Sequence, residues 1–436
     1  MTEEDMGRER WSSTVGFILA SIGSAVGIGN VWRFPYIVGT NGGGAFLIPY
    51  LVSVFLFGLP LMMLEFAIGR STGTSVVAAF RSIQGRFSVA GLAVVAVAGL
   101  VLSYYLVITS WVLAYALFFA LNRPMEFGAF TGSYFPLIFY LISGTAVFLT
   151  VRSGVREGIE RVSRILIPVL VVILLFLVVF ALTRSGAAAG IAFYLSPDYS
   201  RLADPTVWTA AFGQTFFSLS VGMGVMLTYG SYLERGDLFQ NASVIAVTDM
   251  LIAILAGLVI FPLVFTAGLD PAAGVNLTFI TLPAAFLEMR SGMLFGALFF
   301  TMLFAAALTS AVSMLEVPVA AMMDSCGYSR KRATLLASGI IMLFGLPSAL
   351  SYTALELELF GTPLLDLGDY LFGTIGLIVA GLIISIVGGW YMDRSRICAE
   401  IGGCRWQQRV YVALIRYCVP TVLLVTLLAS LLRVGG

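Results

Sequence analysis

The feature that most constrains this chain is a run of about eleven apolar segments, each of roughly twenty residues and each followed by a short polar stretch. They begin near Ser13, Gly44, Ala90, Phe135, Ile165, Trp208, Val244, Gly292, Ala333, Leu367 and Val410. A lipid interior offers no partner to backbone N–H and C=O groups, so segments of this length are expected to cross as helices. The expected fold class is therefore an all-α polytopic membrane protein. Hydrophobic residues make up 59% of the 436 residues and charged residues 11%, with a mean hydropathy of +1.00, well above a soluble domain. The polar opening, "MTEEDMGRER", carries no cleavable signal pattern, so the first apolar segment is expected to be a span itself. The proline- and glycine-punctuated stretch 271–290 is expected to be an extracellular hairpin loop.

Charge sets the expected orientation. With the N-terminus inside, alternate loops hold most of the arginines, among them Arg152, Arg156, Arg161, Arg164, Arg330, Arg332, Arg405 and Arg409. The opposite loops hold Arg123, Arg184, Arg201, Arg290 and Arg433. The positive-inside rule then puts the N-terminus in the cytoplasm and the C-terminus outside, in the cell (inner) membrane. A net charge of +1, with the arginines dispersed, gives no basis for binding nucleic acid. The absence of histidine removes imidazole metal sites, bases and proton relays, and no nucleophile-base pair supports an enzyme. Cys326, Cys398, Cys404 and Cys418 lack zinc-site spacing and are expected to be free thiols.

Within the first segment, "SIGSAVGIGNVWRFP" packs glycines, an asparagine and an arginine into membrane-spanning sequence. Each glycine costs a helix about 1 kcal/mol relative to alanine, so unwinding here is cheap. Unwound backbone must face a ligand or a polar cavity. Carbonyls of Gly23, Ala25 and Val26, with the Asn30 side-chain oxygen, are hard neutral ligands suited to a monovalent cation. Amides at the starts of the following half-helices suit a carboxylate. Val26-Gly27-Ile28-Gly29 recurs as Val221-Gly222-Met223-Gly224 five spans later, which would reverse its direction. An inverted repeat with interrupted helices points to a secondary transporter, with close helix packing as the competing reading of the glycines. In the eighth segment, Thr309 and Ser310 offer adjacent hydroxyls and Ala306 a carbonyl on the same face; the competing reading is bonding back to their own helix.

These residues, in "RERWSSTVGFILASIGSAVGIGNVWRFPYIVGTNGGGAFLIPYL", "SYYLVITSW", "GQTFFSLSVGMGVMLTYGSY", "FITLP", "ALTSAVSMLE" and "DLGDYLFGTIG", resemble the neurotransmitter:sodium symporter family in its bacterial amino-acid transporter branch. The resemblance implies one transporter domain over 1–436 with a leucine-transporter-like five-plus-five inverted repeat, 13–184 and 207–392, broken helices 1 and 6, and an extra C-terminal helix over 408–433. It implies a sodium 2 site from Gly23, Val26, Ala306, Thr309 and Ser310, and a sodium 1 site from Ala25, Asn30, Ser218 and the substrate carboxylate, with Asp249 beside it. The implied substrate pocket involves Ala25, Gly29, Val101, Tyr105, Phe217, Ser218, Ser220, Met223, Ser310 and Met314. Gly27 stands where the family's monoamine transporters have aspartate, which favours amino acids as substrate. Arg33 and Asp369 are implied as an outer gate, and Arg8, Trp11, Tyr232 and Asp324 as an inner one. Glu65 is expected to brace the unwound backbone of helix 1, while Glu316 is a candidate proton carrier.

The expected function is sodium-coupled import of apolar or aromatic L-amino acids by alternating access, with two sodium ions and no need for chloride. A proton-coupled carrier on the same fold is opposed by Thr309-Ser310. A non-transporting amino-acid receptor is opposed by the short termini.

Overall fold

The computed structural model describes residues 9–270 and 277–432. Among them, eight helices are long and apolar enough to cross a membrane: Gly43–Thr72, Gly85–Ala120, Val155–Leu182, Leu238–Thr266, Gly292–Cys326, Arg330–Leu350, Leu364–Tyr391 and Arg405–Leu432. A bent pair, Thr14–Ala25 with Gly29–Thr40, makes a ninth at an angle of 49°. Pro136–Arg152 and the interrupted pair Pro205–Ser218 with Val225–Gly230 complete the series expected from sequence. We number these helices 1 to 11 in chain order. Most begin a few residues before the apolar stretch does, because polar first turns such as Arg330-Lys331-Arg332 are helical too.

Helices 2 and 8 are buried over most of their length, and helices 5 and 11 least. The longest contact joins helix 8 to helix 3; the first half of helix 1 lies between helices 5, 7 and 8. Ser13 caps helix 1, its Oγ accepting from Gly16 N at 3.0 Å, and the helix ends when Val26 turns extended (φ −74°, ψ 102°). Helix 6 starts on Pro205 behind Asp204, whose side chain accepts from Thr206 N. It opens after Ser218, where Ser220, Gly222 and Gly224 take φ values of 50°, 89° and 72°. Glycine fits two of those left-handed positions without strain.

The stretch 271–290 is not simply a loop. Leu277–Thr281 is a wide helical turn that continues into the helix Leu282–Leu287, while 271–276 lie outside the described residues. Pro283 sits in the first turn of that helix, where a missing N–H is tolerated, so it starts a helix and does not end one.

Candidate functional site

The breaks in helices 1 and 6 meet helices 3 and 8 around one small cavity. It is lined by Ala25, Gly29, Val101, Tyr105, Phe217, Ser220, Met223, Ser310 and Met314, nine of the ten residues expected in a substrate pocket. The tenth, Ser218, is buried beside it. Ser24 and Gly27 also line the cavity. The atom-free space within it is ≈ 300 Å³. A Cβ at Gly27 would stand 2.7 Å from Ser310 Oγ and 2.9 Å from Tyr105 Oη, so a larger residue there would fill the space. Tyr105 Oη accepts from Ile28 N at 3.2 Å and also meets the Ser310 side chain.

On one side of the cavity, oxygens of helices 1 and 8 converge. Ser310 Oγ lies 3.3 Å from both Gly23 O and Val26 O and 3.0 Å from Ser24 O. Thr309 Oγ1 bonds back to Ala305 O (3.0 Å) and Ala306 O (3.1 Å). These are carbonyls and hydroxyls with no formal charge, a set that suits a large monovalent cation better than a transition metal.

On the other side, Asn30, Ser218 and Asp249 form a buried polar cluster. Asn30 Nδ2 donates to Asp249 Oδ1 (2.7 Å), to Asp249 O (3.2 Å) and to Ser218 Oγ (3.0 Å). Ser218 Oγ in turn donates to Asp249 Oδ2 at 2.8 Å. Asn30 Oδ1 accepts from Gly27 N at 3.1 Å, tying the cluster to the break. Asp249 is fully buried and meets no arginine or lysine in these contacts, so a cation is the partner its charge calls for.

Two carboxylates take other roles than the sequence suggested. Glu65 Oε1 accepts from Gly222 N at 2.6 Å and Oε2 from Leu227 N at 3.3 Å. It therefore braces the break in helix 6, not helix 1, and these amides face a protein carboxylate in place of a ligand. Glu316 receives both Arg330 Nη1 and Nη2 at 2.8 Å and the Tyr232 hydroxyl at 2.6 Å. Both its oxygens are thus engaged by one guanidinium and a hydroxyl, and it ties helix 8 to Arg330.

At the end of the bundle nearest Ser13, Trp11 Nε1 donates to Tyr229 O at 2.9 Å and Trp11 N to Tyr232 O at 3.3 Å. Asp324 Oδ2 accepts from Ser75 N at 2.6 Å. Arg8 lies outside the described residues. Arg330, which sequence reasoning did not place in the site, joins Glu316 to Glu9 (2.5 Å), and Glu9 accepts from Val155 N. At the opposite end, the Arg33 guanidinium lies 4.6 Å from the centre of the Phe217 ring. No ion pair joins Arg33 to Asp369, and Arg33 Nη1 is without a hydrogen-bond partner among the described residues. The expected outer pair is thus near but unmade, and Phe217 separates Arg33 from the cavity it lines.

Two discontinuous helices meeting over a cavity deep in a polytopic bundle define a membrane transporter. The model of the sodium:neurotransmitter symporter family matches residues 8–135 and 132–435. The chain belongs to that family, a class of sodium-dependent membrane transporters. An uncharacterised sodium-dependent transporter of Bacillus subtilis is 35% identical over 96% of this chain and 97% of its own. The human sodium- and chloride-dependent taurine transporter is 30% identical over 78% of this chain and 65% of its own. The crystal structure of MhsT in complex with L-phenylalanine matches with a TM-score of 0.89 and 41% identity, over 97% of this chain and 100% of that one. Its fold is the expected five-plus-five inverted repeat with helices 1 and 6 broken.

Proposed function

We propose that this protein is a sodium-coupled importer of apolar or aromatic L-amino acids working by alternating access in the cell (inner) membrane. The observation that carries the reading is the convergence of Gly23 O and Val26 O on Ser310 Oγ, with the Thr309 side chain next to Gly23, beside a cavity walled by Met223, Met314, Val101 and Phe217. The first set, with Ala306, holds one sodium ion. Asn30, Ser218 and Ala25, backed by Asp249, hold a second together with the substrate carboxylate, which couples the two bindings. Tyr105 and Gly29 receive that carboxylate, Ser220 faces the amino group, and Phe217 closes over it. The MhsT neighbour, bound to L-phenylalanine, supports this substrate class.

Repeats 13–184 and 207–392 rock about the site, and the helix over 408–433 stands outside them. The N-terminus faces the cytoplasm and the C-terminus the exterior. Trp11, Tyr232, Asp324 and Arg8 gate the inner side, Arg33 and Asp369 the outer. Chloride is not required. Uptake of labelled amino acids into proteoliposomes tests this reading: accumulation with external sodium and none with potassium is expected, and equal accumulation in both overturns it.

A further inference from the structure

Helix 10 holds one side chain of helix 3 against its glycines. A Cβ on Gly368 would stand 3.8 Å from Tyr104 Cβ and Cδ1, and one on Gly373 would stand 2.1 Å from Tyr104 Oη, so the phenol lies along helix 10 in space that two glycines leave open. The helix is wound wide over Asp369–Gly376, and such turns recur at functional sites. The same Gly373 Cβ would stand 2.8 Å from Asp369 Oδ1, so the hydroxyl and the carboxylate border one gap. Tyr104 is 1% exposed, and its hydroxyl makes no hydrogen bond of full geometry among the described residues. The charged and polar groups nearest it are Asp369, Arg33 and Tyr105. Arg33 can only donate, and Tyr105 Oη already meets Ile28 N and Ser310. Asp366, the other carboxylate at this end of helix 10, already accepts from the Tyr352 hydroxyl at 2.8 Å. Tyr104 Oη and Arg33 Nη1 are thus two buried donors with unmade bonds near one carboxylate, Asp369.

We propose that Tyr104 is a positioning residue of the outer gate: its hydroxyl donates to one oxygen of Asp369 and leaves the other to Arg33 when the gate closes over bound substrate. This rests on the amino-acid transport reading above, in which Arg33 and Asp369 close the outer side. A buried donor left unmet is costly, so both donors gain when the carboxylate reaches them. One donor lets a carboxylate turn, whereas a second one, fixed by the packing of its ring, sets its direction. The Arg33 guanidinium lies over the Phe217 ring, which lines the cavity, so a gate aimed in this way also holds Phe217 over the substrate.

The experiment follows release of labelled leucine, phenylalanine or tryptophan, whichever the parent binds best, from the purified full-length protein in sodium after a chase with unlabelled amino acid. Tyr104→Phe, which removes only the hydroxyl, is expected to speed release about tenfold, the lower end for a hydrogen bond to a charged group. Gly373→Ala, whose methyl would occupy the gap between the two oxygens, is expected to match it. In an Asp369→Ala background Tyr104→Phe is expected to add nothing further, because both changes remove the same contact. Sodium binding measured without amino acid is expected to stay at the parent value, since the gate closes only over substrate. Release from Tyr104→Phe at the parent rate, or a full second effect in the Asp369→Ala background, overturns the inference while leaving the transport reading intact. A Tyr104→Phe protein whose sodium binding falls as far as its substrate retention overturns it as well, because the hydroxyl then supports the fold and not the gate. A parent that binds none of the three amino acids overturns the transport reading itself, and this inference with it.

Discussion

Asp249 is expected to free this transporter of any need for chloride. Its two carboxylate oxygens hold Asn30 Nδ2 at 2.7 Å and Ser218 Oγ at 2.8 Å, and both side chains are proposed sodium ligands. The carboxylate therefore lies at most one hydrogen bond beyond the ion. With unit charges about 5 Å apart and an effective dielectric of about 20, the attraction is about 3 kcal/mol, or about a hundredfold in sodium affinity. That fixed charge is expected to do what a bound anion would do beside the same ion. Sodium-driven uptake by the parent is expected to be unchanged when gluconate replaces all chloride. Asp249→Ser is expected to require much more sodium and to recover part of its rate when chloride is restored. Two results would refute the reasoning: a parent that stops without chloride, or an Asp249→Ser protein with the parent's sodium dependence in both salts.

Other expectations follow from the same geometry. Thr309→Ala with Ser310→Ala removes two of the proposed oxygens, so sodium-driven uptake is expected to vanish while the protein elutes as a folded species; uptake at the parent rate and sodium dependence would reject the assignment. With methionines in the pocket and no charge to pair an ionised side chain, leucine, phenylalanine and tryptophan are expected to compete better than lysine or glutamate, and the reverse order in a competition assay would overturn that. Glu65→Gln replaces one acceptor by a donor facing Gly222 N or Leu227 N, turning a charge-assisted bond into a donor-donor contact. A loss of about 2–4 kcal/mol is expected, read as a lower thermal midpoint in detergent; an unchanged midpoint would show that the break in helix 6 does not depend on this carboxylate.

What was legible in the sequence follows from how local each signal is. The break in helix 1 could be read directly, because Gly23, Gly27 and Gly29 weaken a helix through their own backbone and need no neighbour. Helix 6 was half legible: Gly222 and Gly224 announced it, but the left-handed turn at Ser220 did not, since serine adopts φ 50° only where tertiary contacts hold it, here the bond to Ser24 O. The support for that break was not legible at all. Glu65 stands 157 residues from Gly222, and an intramembrane carboxylate signals that it must have a partner without saying which. The same distance hid Arg330, whose place among loop arginines fitted the orientation argument and concealed its links to Glu9 and Glu316. Leu282–Leu287 was missed for the opposite reason: its proline was a local signal, but proline marks the first turn of a helix as readily as its end. The backbone breaks are thus written in the sequence where they occur, whereas the groups that stabilise them and tune the site depend on pairings the fold alone creates.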